Sequence, residues 1–246
     1  MKKFPTEDSF KVFTSLFEES ILPGLNFEQD IDEIIIATEW NNIKTWILTL
    51  RDTSVFTKIK FDSLNQIYFY RKSPKDIILS NDRMRIEEIR AGNLDLTFLK
   101  NPLYRRMVNT IHYKDQFWFL TRNSKVLLKL FQNGNNEYDE KLANLFSSIN
   151  FINISINLDK LANINSHWEC ADEYRAQLLN GLLNGIVSAY ILTQPNDSLT
   201  NKLGTTEIST NEKSVELNLK LNRNEFEVIK NSEVINKLKR ILKNDK

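Results

Sequence analysis

The residues best suited to chemistry are cationic and aromatic side chains that crowd into one segment, residues 100–129. This segment carries seven cationic residues against a single acid, Asp115. The cationic residues are Lys100, Arg105, Arg106, Lys114, Arg122, Lys125 and Lys129, and the aromatic residues among them are Tyr104, Tyr113, Phe117, Trp118 and Phe119. Lysine and arginine neutralise phosphates and aromatic rings stack on nucleobases, so the segment predicts a nucleic-acid surface. An acidic protein partner would use the same charges. Aromatics in a core beneath solvated cations would give the same pattern.

The charge of the whole chain hides a strong segregation. The formal net charge is +1, yet residues 51–134 carry sixteen cationic residues against eight acids. Residues 1–50 carry nine acids against four cationic residues. Such an asymmetric field steers charged partners even when the total is near zero. We therefore take Arg105, Arg106, Lys114, Arg122, Lys125 and Lys129 as the candidate residues for binding nucleic acid or an acidic partner.

Most motifs of enzymatic chemistry are missing from the sequence. Neither GxxxxGK[ST], GxGxxG nor GxSxG occurs, so the sequence predicts no phosphate loop, dinucleotide fold or nucleophile elbow. One cysteine and two histidines are too few for an ordinary structural zinc site, and His167 with Cys170 lacks two further ligands nearby. Asp139-Glu140-Lys141 has metal-nuclease spacing but falls on a predicted helix. We expect no metal, no cofactor and no catalytic residue.

Arg106 and His112 keep one enzymatic alternative open. An arginine followed by a histidine at this spacing resembles the motif of the helical HEPN ribonucleases. The resemblance implies a metal-independent ribonuclease or toxin in which Arg106 steadies a phosphate and His112 transfers protons. Met107 departs from that motif, which favours a polar residue after the arginine.

The elements predicted before residue 134 are mixed. Phe10, Phe13, Leu16, Phe17 and Ile21 recur at helical spacing. We expect a short strand at 34–36, a helix at 38–50 and strands at 55–61 and 66–70. Residues 84–99 predict a β-hairpin that turns at Gly92-Asn93. Residues 102–133 predict a helix broken near Asn109 or Asn123.

The elements predicted after Gly134 are mainly helical. We expect a helix at 137–148, a strand at 151–158 and a long helix from Ser166 to the stop at Pro195, capped by Ser166 and Glu169. Gly181 and Gly185 are predicted to admit a close neighbour. Alternating residues at 215–221 predict a half-buried strand. The chain closes with an amphipathic helix whose apolar stripe is Val234, Ile235, Leu238, Ile241 and Leu242.

Together these elements predict an α+β protein. The N-terminal part is mixed α/β with a β-hairpin, and the middle and C-terminal half are largely helical. The Asn133–Asn136 breaker divides residues 1–134 from 135–246, which could also form one domain. The single cysteine precludes an internal disulfide, and the N-terminus lacks the apolar core of a secretory signal. We therefore expect a cytoplasmic protein without a membrane partner.

The chain resembles the small middle subunits of bacterial plasmid- and phage-defence complexes built on SMC-type ATPases, the Lamassu/Ddm group. The resemblance rests on chain size, a composition rich in Asn, Lys and Ile, an α/β N-terminal half with the IEEIRAGNLDLTF hairpin (residues 86–98), and helical segments suited to docking. It implies a non-catalytic bridging subunit between an SMC-like ATPase and a nuclease, in a complex that acts on foreign DNA. A freestanding nucleic-acid-binding module is the remaining alternative.

Overall fold

The computed structural model describes the chain from Leu25 to Lys230 with several gaps. The described residues are 25, 27–38, 44–59, 67–92, 100–112, 114–115, 117–132, 134–158, 160–193, 198–204 and 206–230. They form two compact units, an N-terminal unit within residues 6–97 and a C-terminal unit within residues 98–243. The predicted boundary at Gly134 lies inside the C-terminal unit, between two helices that pack on each other.

The N-terminal unit is an antiparallel sheet with short helices. Its elements are α1 (Phe27–Asp30), β1 (Ile31–Thr38), β2 (Lys44–Leu50), a 3-10 helix (Thr53–Lys58), β3 (Tyr68–Arg71), β4 (Asp76–Ser80) and α2 (Arg83–Arg90). The strand order is β1-β2-β4-β3. The strands predicted at 34–36 and 66–70 are confirmed by β1 and β3. The strand predicted at 55–61 is wrong, because residues 53–58 form the 3-10 helix.

The core of the N-terminal unit explains why the helix predicted at 38–50 is wrong. Trp46, Leu48 and Leu50 are buried, whereas Ile47 and Thr49 between them are only partly buried. This two-residue period belongs to a strand whose alternate side chains face the core. β2 pairs with β1 on one side and β4 on the other, so both neighbours satisfy its backbone.

The first arm of the predicted hairpin is also helical. In α2, the Asp82 side chain accepts a 2.9 Å hydrogen bond from the Met84 amide and caps the helix. Ile86, one turn beyond that cap, is buried, with only 2 % of its surface exposed. Gly92 does adopt the positive φ (67°) expected of a turn, but it ends a helix instead of joining two strands. The second arm, residues 93–99, lies outside the described residues.

The C-terminal unit contains the second, larger sheet. Its elements are α3 (Pro102–Asn109), β5 (Phe117–Thr121), α4 (Lys125–Phe131), α5 (Asn136–Ser147), β6 (Ile149–Leu158), β7 (Ala162–Cys170), α6 (Glu173–Thr193), α7 (Ser198–Leu203), β8 (Glu207–Asn211), β9 (Ser214–Leu221) and α8 (Arg223–Lys230). All strands are antiparallel, in the order β5-β6-β7-β9-β8. The predicted elements at 137–148, 151–158 and 215–221 are confirmed by α5, β6 and β9.

Helices cover one face of this sheet. The core joins Ile152, Trp168 and Val215 of the sheet to Phe146 of α5 and Leu179 of α6. Phe146 meets Trp168 edge to face, with ring centroids 6.4 Å apart, a favoured aromatic arrangement. Side chains that alternate with these along β6 and β7 point to the opposite face. The helices α4, α5 and α6 therefore lie on one side of the sheet, and mainly polar side chains, together with the buried Phe151, lie on the other.

The helix predicted from Ser166 begins later than expected. Residues 162–170 form β7, which pairs with both β6 and β9. Instead of capping a helix, Ser166 accepts a 2.9 Å hydrogen bond from the Trp168 indole, and Glu169 binds an arginine of α3. The helix α6 starts at Glu173, where the Asp172 carboxylate accepts a hydrogen bond from the Arg175 amide.

None of the described residues closely approaches the two glycines of α6. A Cβ atom added at Gly181 or Gly185 would meet no described atom within 4 Å, and both residues are exposed, so the close approach stays a prediction. Among the described helices, α6 alone has the length and apolar composition to cross a bilayer. Ala176, Leu179 and Leu183 of α6 belong to the protein core, and 17 % of the apolar stretch of this helix is buried.

The α+β class predicted from sequence is confirmed. Two antiparallel sheets and eight helices are described, although the half expected to be largely helical also holds five strands. The helix predicted at 102–133 ends at Asn109 and resumes at Lys125, but residues 117–121 between them form β5. The predicted helix at residues 10–21 and the stripe at residues 234–242 lie outside the described residues.

Candidate nucleic-acid interface

The six candidate cationic residues are all exposed, on four consecutive pieces of the C-terminal unit. Arg105 and Arg106 lie on α3, Lys114 lies in the loop before β5, and Arg122 follows β5. Lys125 and Lys129 lie one turn apart on α4. Residues four apart on a helix share a face, so these two lysines project from the same side of α4.

Three of the six cationic residues line one cavity. Arg122, Lys125 and Lys129, here called the basic cluster, lie along a cavity of about 420 Å³. Asn123, Ser124 and Gln132 add polar groups to the lining of this cavity. The remaining lining residues come from α4, α5 and the start of β6, and they are Leu128, Ala143, Phe146, Ser147 and Ile149. The lining therefore combines cationic, polar and apolar side chains.

Short local contacts hold the basic cluster in place. The Arg122 guanidinium donates a 2.5 Å hydrogen bond to the Tyr104 hydroxyl and lies 5.0 Å from the centre of its ring. These contacts tie the end of β5 to α3. The Ser124 hydroxyl donates a 2.6 Å hydrogen bond to the Phe146 carbonyl, which fixes the start of α4 on α5. Thus a buried hydrogen bond joins α4 and α5, which both line the cavity.

Arg106 has a different neighbourhood from the basic cluster. Its guanidinium lies 3.1 Å from Glu169 on β7, whose side chain is only 9 % exposed. Next to that carboxylate, His167 lies 3.6 Å from Glu169 and 3.6 Å from Glu216 on β9. The imidazole also stacks on the ring of Phe151. Arg106 thus neutralises a buried carboxylate on the polar face of the sheet.

His112 belongs to a separate cluster of polar side chains. Its Nδ1 lies 3.8 Å from Asp115 Oδ2, and the other oxygen of Asp115 accepts a 3.2 Å hydrogen bond from Asn157. Arg106 and His112 therefore face two different carboxylates. The unit around them is built on a five-stranded sheet, unlike the helical bundle that the HEPN resemblance implies.

The pair His167 and Cys170 is divided between the two faces of β7. Cys170 is buried in the core, and burial beside Glu169 and Asp172 raises the pKa of its thiol to about 11. His167 lies on the polar face. Residues three apart on a strand point to opposite sides, so these two side chains cannot bind the same metal ion. Within the described ranges, no group of three His, Cys, Asp or Glu side chains is placed to hold a metal ion.

The aromatic residues of the segment are partly covered. Tyr104 and the β5 residues Phe117, Trp118 and Phe119 are all half-buried, and Tyr113 lies outside the described residues. Tyr104 accepts a hydrogen bond from Arg122, and its ring lies 5.0 Å from the Arg122 guanidinium. The apolar wall of the cavity, formed by Ala143 of α5 and Ile149 at the start of β6, was not predicted, because nothing in the sequence signals which residues of later elements will line a cavity with the cationic ones.

Comparison of the chain with protein-family models, with curated proteins and with solved structures gives no match.

Proposed function

We propose that this chain is a non-catalytic accessory subunit of a DNA-associated protein complex and that the basic cluster is its nucleic-acid contact. The observation that carries the binding proposal is the placement of Arg122, Lys125 and Lys129 on one cavity. Three cations around one cavity concentrate positive potential where a phosphate can approach all of them. The exposed Arg105 and Lys114 extend the contact in the proposal.

Arg106 enters the proposal as a positioning residue. Its ion pair with Glu169 fixes α3 on the sheet, and α3 carries both Arg105 and Tyr104. Because Tyr104 accepts a hydrogen bond from Arg122, the orientation of α3 also bears on the basic cluster. This assigns the six candidate residues two roles, contact and support.

The partners in the proposal follow from the sequence resemblance alone. They are an SMC-like ATPase and a nuclease, in a complex that defends bacteria against plasmids or phage. Co-purification of the tagged chain with a neighbouring coiled-coil ATPase supports this part. A chain that purifies alone and binds nucleic acid with full affinity is instead the freestanding module.

The binding proposal is tested by charge reversal with a matched control. We expect Lys125→Glu with Lys129→Glu to abolish binding of a fluorescent oligonucleotide. The control, Lys160→Glu with Lys220→Glu, makes the same charge change at two exposed lysines that do not line the cavity, and it should retain most of the affinity. For the native chain, three phosphate contacts give a slope of log K against log salt of about −2 to −3. Equal losses in both double variants would contradict a localised site.

The ribonuclease alternative makes a separate prediction. It requires His112→Ala to abolish RNA cleavage while leaving the fold and the oligonucleotide affinity intact. The accessory-subunit proposal expects the native chain to leave a fluorescent RNA uncut, so a cleavage that depends on His112 would overturn it.

A further inference from the structure

We infer that the cavity beside the basic cluster binds one unpaired nucleotide, so that the preferred ligand is single-stranded nucleic acid and not a duplex. This inference rests on the proposed function and names its substrate class. It draws on a feature that the charge argument does not use, the apolar wall that lines the same cavity.

The lining of the cavity combines two kinds of chemistry. The basic cluster supplies cations, while the apolar wall, Ala143 and Ile149, supplies apolar groups. Plain phosphate would contact the cations and leave the apolar wall exposed. A nucleotide has an anionic phosphate at one end and a flat ring with an apolar face at the other, so it matches the cations and the apolar wall at once.

The size of the cavity agrees with one nucleotide. A volume of about 420 Å³ lies within the range of sites for small molecules. In a duplex the base faces are stacked inside the helix, and a protein reaches only the phosphates and the base edges in the grooves. A duplex could therefore touch the basic cluster from outside but could not place a base against Ala143. The apolar wall becomes useful only when a base is unpaired.

Polar side chains around the cavity favour a ligand that also carries hydrogen-bonding groups. Gln132 and Ser147 are exposed on its lining, at the ends of α4 and α5. The Gln132 amide can both donate and accept, and the Ser147 hydroxyl, which donates a 2.8 Å hydrogen bond to the Asn144 carbonyl, can accept, so they suit the mixed edge of an unpaired base.

The test compares a short fluorescent single-stranded DNA with a blunt duplex of the same sequence by anisotropy. Ala143→Leu fills the apolar wall and leaves every cation in place. Ala189→Leu is the matched control, since it makes the same change at an exposed position of α6 that does not line the cavity. We expect Ala143→Leu to weaken single-strand binding about tenfold, with duplex binding changed less than about twofold, because only the unpaired base uses that wall. Ala189→Leu should leave both affinities unchanged.

A second variant guards against a folding defect at the half-buried Ala143. Ser147→Trp adds bulk at an exposed lining residue, where the fold can accept it, and should reproduce the loss of single-strand binding. In competition at matched ionic strength, a deoxynucleoside monophosphate should displace the single strand, and neither inorganic phosphate nor poly-glutamate should do so.

The outcomes separate this inference from the proposed function. Equal affinity for single strand and duplex, with no effect of Ala143→Leu or Ser147→Trp, overturns the nucleotide site but leaves the basic cluster as a backbone contact. Displacement by poly-glutamate as effectively as by the nucleotide overturns it in favour of an acidic protein. Binding to neither nucleic acid overturns both proposals together.

Discussion

Replacing Arg106 distinguishes a supporting residue from a contact residue. In Arg106→Met, the Glu169 carboxylate, whose side chain is 9 % exposed, loses a cation 3.1 Å away. Breaking a fully buried ion pair costs about 3–5 kcal/mol, and an exposed pair contributes about 0–1 kcal/mol. The arginine side chain is 52 % exposed and keeps much of its solvation, so we expect a loss of about 1.5–2 kcal/mol in unfolding free energy.

The assay has a stability readout and a binding readout. A loss of this size lowers the melting temperature by about 3–8 °C for a protein of this length. Glu169→Gln removes the charge that needs neutralising, so the double variant should recover part of the loss in a double-mutant cycle. Single-strand affinity should fall less for Arg106→Met than for Lys125→Ala. An unchanged melting temperature with a larger loss of affinity than Lys125→Ala would show that Arg106 is a contact and that the reasoning is wrong.

Three further predictions concern the rest of the fold. Cys170 should react with a thiol reagent at pH 8 far more slowly in the native chain than in urea, since burial raises the pKa of its thiol to about 11. Because this pKa is higher in the folded chain than in the unfolded chain, the neutral thiol stabilises the fold below about pH 9, and that stabilisation is lost as the pH rises towards 11. Hydrogen bonds from Ser73 and Thr49 lower the pKa of Asp76, so it stabilises the fold above the ordinary carboxyl pKa and loses that effect as the pH falls. Asp76→Asn should flatten acid unfolding curves, and unchanged curves would refute this assignment. Gly92→Ala should cost about 1–2 kcal/mol in a denaturant titration, because Gly92 has a φ of 67°; no loss would show that the turn relaxes freely.

Strands and helices were predictable where only one period fits the residues. In β9, Val215, Leu219 and Leu221 are buried with polar residues between them, and the sequence shows this alternation directly. The helix α5 has apolar residues at three- and four-residue spacing and follows a strong breaker at Gly134. In both elements local pattern and tertiary packing agree, so local reasoning succeeds.

The misassigned segments satisfy two periods at once. Residues 44–50 place apolar side chains at strand spacing and also, through Trp46, Ile47 and Leu50, at helical spacing. At Ser166 the capping pattern is present, but β6 and β9 offer hydrogen bonds along all of β7. Pairing with two neighbouring strands outweighs one local cap, because a cap contributes only about 1 kcal/mol.

The candidate site was predictable in its charges and not in its shape. The sequence identifies Arg122, Lys125 and Lys129 as neighbours, because they are close along the chain. The apolar wall comes from α5 and the start of β6, and only the packing of α5 on α4 brings Ala143 into the cavity that those cations line. A charge count therefore cannot distinguish a phosphate contact from a nucleotide site. That distinction depends on tertiary packing, which is why filling the apolar wall, and not removing a charge, is the more discriminating perturbation.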